Sequence, residues 1–258
     1  MESMRGKLIL ITGASSGIGE ACARLFAENG ARLLLLARRE QRLRELALTL
    51  QTQHGAEVMT CALDVRRRAD VETTLAGLPA EWREIDILIN NAGLARGLGP
   101  IHAGDPDDWD EMIDTNVKGL LYVTRMVTAG MVARRRGHVI NIGSIAGRDV
   151  YPGGNVYCAS KFAVTALTRG LSIDLLGSGV RVSTVDPGMV ETEFSEVRFR
   201  GDHERARRVY EGLEPLTGAD VAEAVLFCAT RPRHATVREL VLTPTAQASV
   251  VHVFRATS

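Results

Sequence analysis

Short apolar runs alternate with amphipathic stretches along almost the whole chain. Residues 7–11 form such a run. A glycine-rich turn follows, then helical spacing over 17–29 that Gly30 closes. Glycine suits the left-handed position just past a helix end. Residues 32–37 are apolar without alternation, as a strand covered on both faces must be. The same rhythm predicts a helix over 40–53, a strand over 57–63, a helix over 67–78 and a strand over 85–89. A long helix over 106–135, interrupted near Asn116, leads to a strand over 137–142 and a helix over 155–176. A strand over 180–186, a helix over 218–230 and a strand over 239–242 complete the pattern. Repeated β-α-β units imply an α/β fold, a Rossmann-type doubly wound sheet of about seven parallel strands with helices on both faces. No linker or repeat divides residues 1–258, so a single domain is expected.

The rhythm breaks over 191–214, which is charged and rich in arginine. Ligands of such sheets sit at the carboxyl ends of the strands. A polar insertion after the sixth strand is therefore expected to act as a substrate lid rather than as a solvated excursion.

Composition narrows the function classes. Formal net charge is zero and the apolar fraction is 45 %, so neither nucleic acid nor a membrane is expected as a partner. No run approaches the length of a membrane span. Cys22, Cys61, Cys158 and Cys228 form no Cys-x-x-Cys pair, and the histidines lack ligand spacing, so no metal is expected. Residues 1–7 lack the apolar core of a signal peptide, and a cytoplasmic location is expected.

The first chemical motif is Thr12-Gly13-Ala14-Ser15-Ser16-Gly17-Ile18-Gly19, between the first strand and the first helix. Glycines there let backbone N–H groups approach a pyrophosphate, and the helix N-terminus favours its charge. The second strand ends in Ala37-Arg38-Arg39, where NAD would want a carboxylate. Arginine suits a 2′-phosphate, so NADP is expected over NAD. Asp64-Val65 ends the third strand, where a carboxylate suits an adenine amino group. Asn91-Ala92-Gly93 ends the fourth, where small residues leave room for the cofactor's sugars and phosphates. Tyr157 and Lys161 are four apart, on one face of a helix. A phenol with a free pKa of about 10 is a poor acid or base at neutral pH, and a neighbouring ammonium is expected to lower that value.

In these motifs, together with Asn116, Ser144 and Asp186-Pro187-Gly188, the chain resembles the short-chain dehydrogenase/reductase family over nearly its whole length. The resemblance implies that Tyr157 is the acid or base, that Ser144 polarises the substrate oxygen, and that Lys161 tunes Tyr157 and holds the nicotinamide ribose. It implies that Asn116 holds a relay water, and that Pro187, Gly188, Val190 and Thr192 line the nicotinamide end. A homotetramer is implied as well. Residues 78–82, 112–116, 153–157 and 192–199 look like the NADP-dependent 3-hydroxy acid dehydrogenases, the group of serine and L-allo-threonine dehydrogenases. Gly218 departs from that group's pattern, standing where a helix-capping proline is usual.

A 3-hydroxy acid brings a small-molecule substrate with a carboxylate near its carbinol, so a cation is needed near Ser144 and Tyr157. Arg198 in the lid is the first candidate and Arg148 the second. The alternatives are a general carbonyl, steroid or 3-oxoacyl reductase, which an apolar lid would favour, and a non-catalytic NADP-binding sensor, which would dispense with Tyr157 or Lys161.

Overall fold

The computed structural model describes residues 2–256, so the outermost residues of the expected domain lie outside the described residues. Seven strands form one parallel sheet in the order β3-β2-β1-β4-β5-β6-β7. They are β1 (Leu8–Thr12), β2 (Arg32–Ala37), β3 (Val58–Ala62), β4 (Ile87–Asn90), β5 (Gly137–Ile142), β6 (Val180–Pro187) and β7 (Glu239–Leu242). The period of two sorts the side chains between two layers. Ile9, Ile11, Leu33, Leu35, Ile87 and Ile89 pack on one side with helices α1 (Gly17–Glu28), α2 (Glu40–His54) and α9 (Gly218–Ala229). Leu8, Leu10, Leu34, Leu36 and Leu88 pack on the other with α3 (Arg68–Ala76) and α5 (Leu120–Ala133). Each fully buried leucine or isoleucine contributes about 1.5–3 kcal/mol of transfer free energy.

The chain runs outward from β1 to β3 and then returns to place β4 beside β1. That reversal opens a cleft at the carboxyl ends of the two strands. The cleft's floor is held by side chains. Thr12 Oγ1 accepts from Asn91 N and Ala92 N, each at 3.0 Å, and Asn91 Nδ2 donates to Thr12 O at 2.9 Å and Gly13 O at 3.1 Å.

The expected interruption near Asn116 is real. Helix α4 (Pro106–Ile113) passes into α5 through a π-helical turn at Asp114–Gly119. Such a turn shifts the backbone bonding locally and is common at functional sites. Helix α6 (Asn155–Asp174) carries the Tyr157 turn. Helix α2 continues to His54 and ends on Gly55 at φ 63°. The departure at Gly218 has a physical reason. A Cβ there would lie 3.1 Å from Gly17 O and 3.2 Å from Ala21 Cβ, because α9 meets the start of α1 closely. Thr217 and Asp220 cap α9 reciprocally, so no proline is needed at its start.

Candidate active site

A cleft of about 300 Å³ runs along the carboxyl ends of the central strands. It brings together Ser144, Tyr157 and Lys161 with every expected cofactor-facing residue except Gly19. Gly19 acts from behind, since a Cβ there would lie 2.4 Å from Asn91 Nδ2 and Gly13 O. Ser16 caps α1 by position but makes no side-chain cap hydrogen bond, which leaves the first-turn N–H groups to face an anion in the cleft. Thr115 Oγ1 lines the same cleft, buried and without a partner. An uncapped helix terminus, an orphaned hydroxyl and the arginines at the end of β2 fit a phosphorylated dinucleotide.

Two glycines set Ser144 against α6. A Cβ on Gly143 would lie 2.0 Å from Asp186 Oδ1, and one on Gly147 would lie 2.6 Å from Lys161 O. Between them Ser144 Oγ accepts from Ala146 N at 3.1 Å. The close approach at Gly147 seats the short turn Ile145–Gly147 on the helix that presents Tyr157 and Lys161. Sequence reading passed over both glycines, although the Gly-Ser-x-x-Gly spacing was visible.

The electrostatics differ from the expected tuning. Burial pushes the Tyr157 phenol well above its usual range. The neighbouring Tyr151 adds to this, while a hydrogen bond to Ser144 and the Arg198 charge pull the other way. Lys161 does not supply the expected lowering. Its ammonium donates to Ile142 O at 3.0 Å and lies 5.9 Å from the Tyr157 ring centroid. Burial lowers the Lys161 ammonium itself to about 8, against the opposing charge of Asp186. In this state Tyr157 is a protonated phenol, ready to donate.

Asn116 lies behind the site with its side-chain amide committed. Oδ1 accepts from Leu94 N at 2.9 Å, and Nδ2 donates to Leu94 O at 2.8 Å and Ser160 Oγ at 3.0 Å. The side-chain amide is thus committed to Leu94 and Ser160, with one lone pair of Oδ1 left over. Asp64 lines the cleft, with both carboxylate oxygens taken by Arg66. Burial raises its carboxyl, and the Arg66 hydrogen bonds outweigh that and hold it below its usual range.

Of the two substrate-cation candidates, Arg148 is corrected by its partners. Its Nε and Nη2 donate to Asp186 Oδ2 at 2.8 and 2.6 Å, and Nη2 reaches Glu239 Oε2 at 2.6 Å. It does not line the cleft, because the buried Asp186 carboxylate holds it. Arg198 does not line the cleft either, but its side chain packs beside Tyr157. Its guanidinium carbon is 5.8 Å from the Tyr157 ring centroid and 5.4 Å from that of Tyr151, and Nε donates to Gly97 O at 2.8 Å.

The segment 191–214, expected as a lid, is two-faced. It holds helices α7 (Phe194–Arg198) and α8 (His203–Arg208). Phe194 and Val197 turn inward onto the cluster of Leu94, Met112, Tyr157 and Cys158, with the Phe194 ring edge-on to Tyr157 at 5.6 Å. Sequence reading missed this inner face, although apolar residues three apart at 194 and 197 carried its signal. It also missed Arg96, which binds Glu111 at 2.6 Å and the lid carbonyl of Val197. Gln247 was missed too: its Oε1 accepts from Met189 N at 2.8 Å and so fixes the strand end above Gly188.

Comparison with known proteins agrees with this geometry. Residues 7–202 match the family model for short chain dehydrogenases. An NADP-dependent 3-hydroxy acid dehydrogenase, YdfG, of Salmonella typhi is 49 % identical over 241 residues, covering 93 % of this chain and 96 % of that protein. The NADP-dependent 3-hydroxy acid dehydrogenase of Schizosaccharomyces pombe is 41 % identical over 256 residues, 99 % of each chain. The closed form of a serine dehydrogenase complexed with NADP+ superposes with a TM-score of 0.90 at 46 % identity, covering 96 % of this chain and 100 % of that one. With its Gly-rich turn, Ser144, Tyr157 and Lys161 gathered in one cleft, the chain belongs to the short chain dehydrogenase family.

Proposed function

We propose that this protein is an NADP-dependent oxidoreductase acting on the alcohol carbon of small 3-hydroxy acids, of the serine, L-allo-threonine and 3-hydroxypropionate type. The observation that carries the substrate class is Arg198, a lid cation 5.8 Å from the Tyr157 ring centroid. A substrate carboxylate two bonds from the reacting carbon would need a cation on the lid side of the acid, and Arg198 is the lid cation packed beside Tyr157. The names of the relatives support the same class.

NADP, when bound, supplies or accepts the hydride. The Gly13 to Gly19 turn would hold its pyrophosphate, Arg38 and Arg39 its 2′-phosphate, and Lys161 its nicotinamide ribose. Arg38 is the less committed of the two arginines, with only a loose contact to Glu111 at 3.7 Å. In the direction of reduction, the Tyr157 phenol donates a proton to the carbonyl oxygen while Ser144 Oγ donates a hydrogen bond to the same atom. The closed lid excludes water through Phe194 and Val197, and Arg198 orients the substrate by its carboxylate. Asn116 supports the site by fixing Leu94 and Ser160.

Four free cysteines support a reducing, cytoplasmic setting. Among the described residues no helix is long and apolar enough to cross a membrane. Exposed Leu121, Phe162 and Ile173 on α5 and α6 support a homo-oligomer, with the tetramer as the proposed form.

Replacing Tyr157 by Phe should lower kcat by about 10²–10⁴-fold while NADP+ still binds. Unchanged turnover would remove Tyr157 from its role. The second reading, a general carbonyl reductase, is favoured by the apolar inner lid. A panel of L-serine, L-allo-threonine, 3-hydroxypropionate and simple ketones separates the two, since activity on ketones alone rejects the acid reading.

A further inference from the structure

Glu193 precedes α7 in the lid and lines the cleft from that side, while Arg39 lines it from the side of β2. Arg39 Nη1 donates to Glu193 Oε2 at 2.7 Å, and Arg42 Nη1 donates to Glu193 Oε1. One carboxylate therefore carries a guanidinium on each oxygen, and both belong to the start of α2. Arg39 is braced for this contact. Its Nε donates to Ser15 Oγ at 3.1 Å, and its Nη2 reaches Ser16 Oγ at 2.6 Å and Ser15 O at 3.4 Å. Arg42 lies outside the cleft and has no part in its lining. Burial raises the Glu193 carboxyl, and the two guanidiniums outweigh that and hold it below its usual range, so the link stays charged at neutral pH.

We infer that Glu193 is a positioning residue: with Arg39 and Arg42 it latches the lid across the dinucleotide cleft, and the latch must open each time the cofactor enters or leaves. The inference rests on the reading that the cleft holds NADP. The link joins the two walls of the cleft, so a molecule lying between the Gly-rich turn and the lid is enclosed by it. The far end of the lid is fastened separately, where Arg198 N–H and carbonyl groups pair with Gly97 and Arg200 pairs with Asp108. Breaking the Glu193 link would therefore free one edge of the lid and leave the other in place. The action is on cofactor residence, not on the proton transfer at Tyr157.

Stopped-flow release of cofactor from the full-length protein tests this in wild type, Glu193→Gln, Arg42→Gln and the double variant. Partly exposed ion pairs are modest, so each single variant should release NADP+ about two- to tenfold faster. The double variant should match Glu193→Gln alone, because the two substitutions break one link. NAD+ release should accelerate as well, since the latch acts on the lid, though not by an identical factor, because Arg39 also serves the 2′-phosphate. Additive effects, unchanged release or slower NADP+ release each overturn the latch. So does an effect confined to NADP+, the outcome if the carboxylate acted through the 2′-phosphate. Weaker wild-type binding of NADP+ than of NAD+ would instead sink the cofactor reading and leave the latch to be judged on NAD+.

Discussion

Arg148→Met separates a structural arginine from a substrate ligand. Asp186 has no exposed surface, and its carboxylate is satisfied by Arg148 through two hydrogen bonds and by Thr184 Oγ1 at 2.6 Å. Removing one partner of a buried ion pair leaves an uncompensated charge and costs about 3–5 kcal/mol. Arg148 is itself 30 % exposed, and water reaching the gap would soften the loss, so about 2–4 kcal/mol is expected here. For a chain of this size, about 2 °C of melting temperature is lost per kcal/mol, or roughly 4–8 °C in all. The companion variant Arg148→Met/Asp186→Asn removes both charges and should recover most of that loss. Urea unfolding of the three proteins at neutral pH measures the effect, and KM for the hydroxy acid is read beside it. A variant within about 1 kcal/mol of wild type but with KM raised tenfold or more would show that Arg148 binds substrate and that its pairing with Asp186 is incidental.

Two further substitutions probe the supports of the site. Gly143→Ala places a Cβ 2.0 Å from Asp186 Oδ1 and 2.8 Å from Thr184 Oγ1. The overlap should destabilise by about 1–3 kcal/mol and displace Ser144, with kcat falling by up to about 10²-fold; a normal melt and normal kcat would refute the close approach. Lys161→Met tests the lowered ammonium. Burial holds Lys161 at about 8 in the folded chain against the ordinary lysine value of 10.5, so the unfolded chain binds the extra proton between those values. Folded stability must then climb with pH across that window. Wild type should gain stability relative to Lys161→Met from pH 8 to 10.5, and parallel stability curves for the two would contradict this.

The strands at 32–37, 137–142 and 239–242 were legible to the residue because each apolar run is bounded by polar or turn-forming neighbours. The fourth strand was placed early. Asp86 turns its carboxylate to Leu8 N at 3.0 Å, and the strand proper begins at Ile87. The chemistry-bearing turns could be read because their spacing is local. Arg148 could not, since its partners lie 38 and 91 residues away and only the fold brings them together. The direction of the Tyr157 shift was hidden for a related reason. Spacing puts Lys161 one turn away, but burial is a property of the assembled core, and the ammonium turns toward Ile142 O instead.

Over the proposed lid, residues 191–214, composition misleads where position does not. Its arginines suggested a charged cover, and a charged cover suggested an acidic substrate. In the fold most of that charge is spent locally: Arg200 on Asp108, Arg208 on Glu204, and Arg205 over the Phe199 ring at 4.3 Å. The surface turned to Tyr157 is apolar, built by Phe194 and Val197. Net charge in the lid is therefore no argument for a carboxylate in the cleft. The argument survives on one side chain, because among the lid arginines Arg198 is the one whose guanidinium lies over the Tyr157 ring. A single cation beside an apolar face would select a small acid more sharply than a polar lid would. Where Phe194 and Val197 exclude water, an ion pair between Arg198 and a substrate carboxylate would be strengthened.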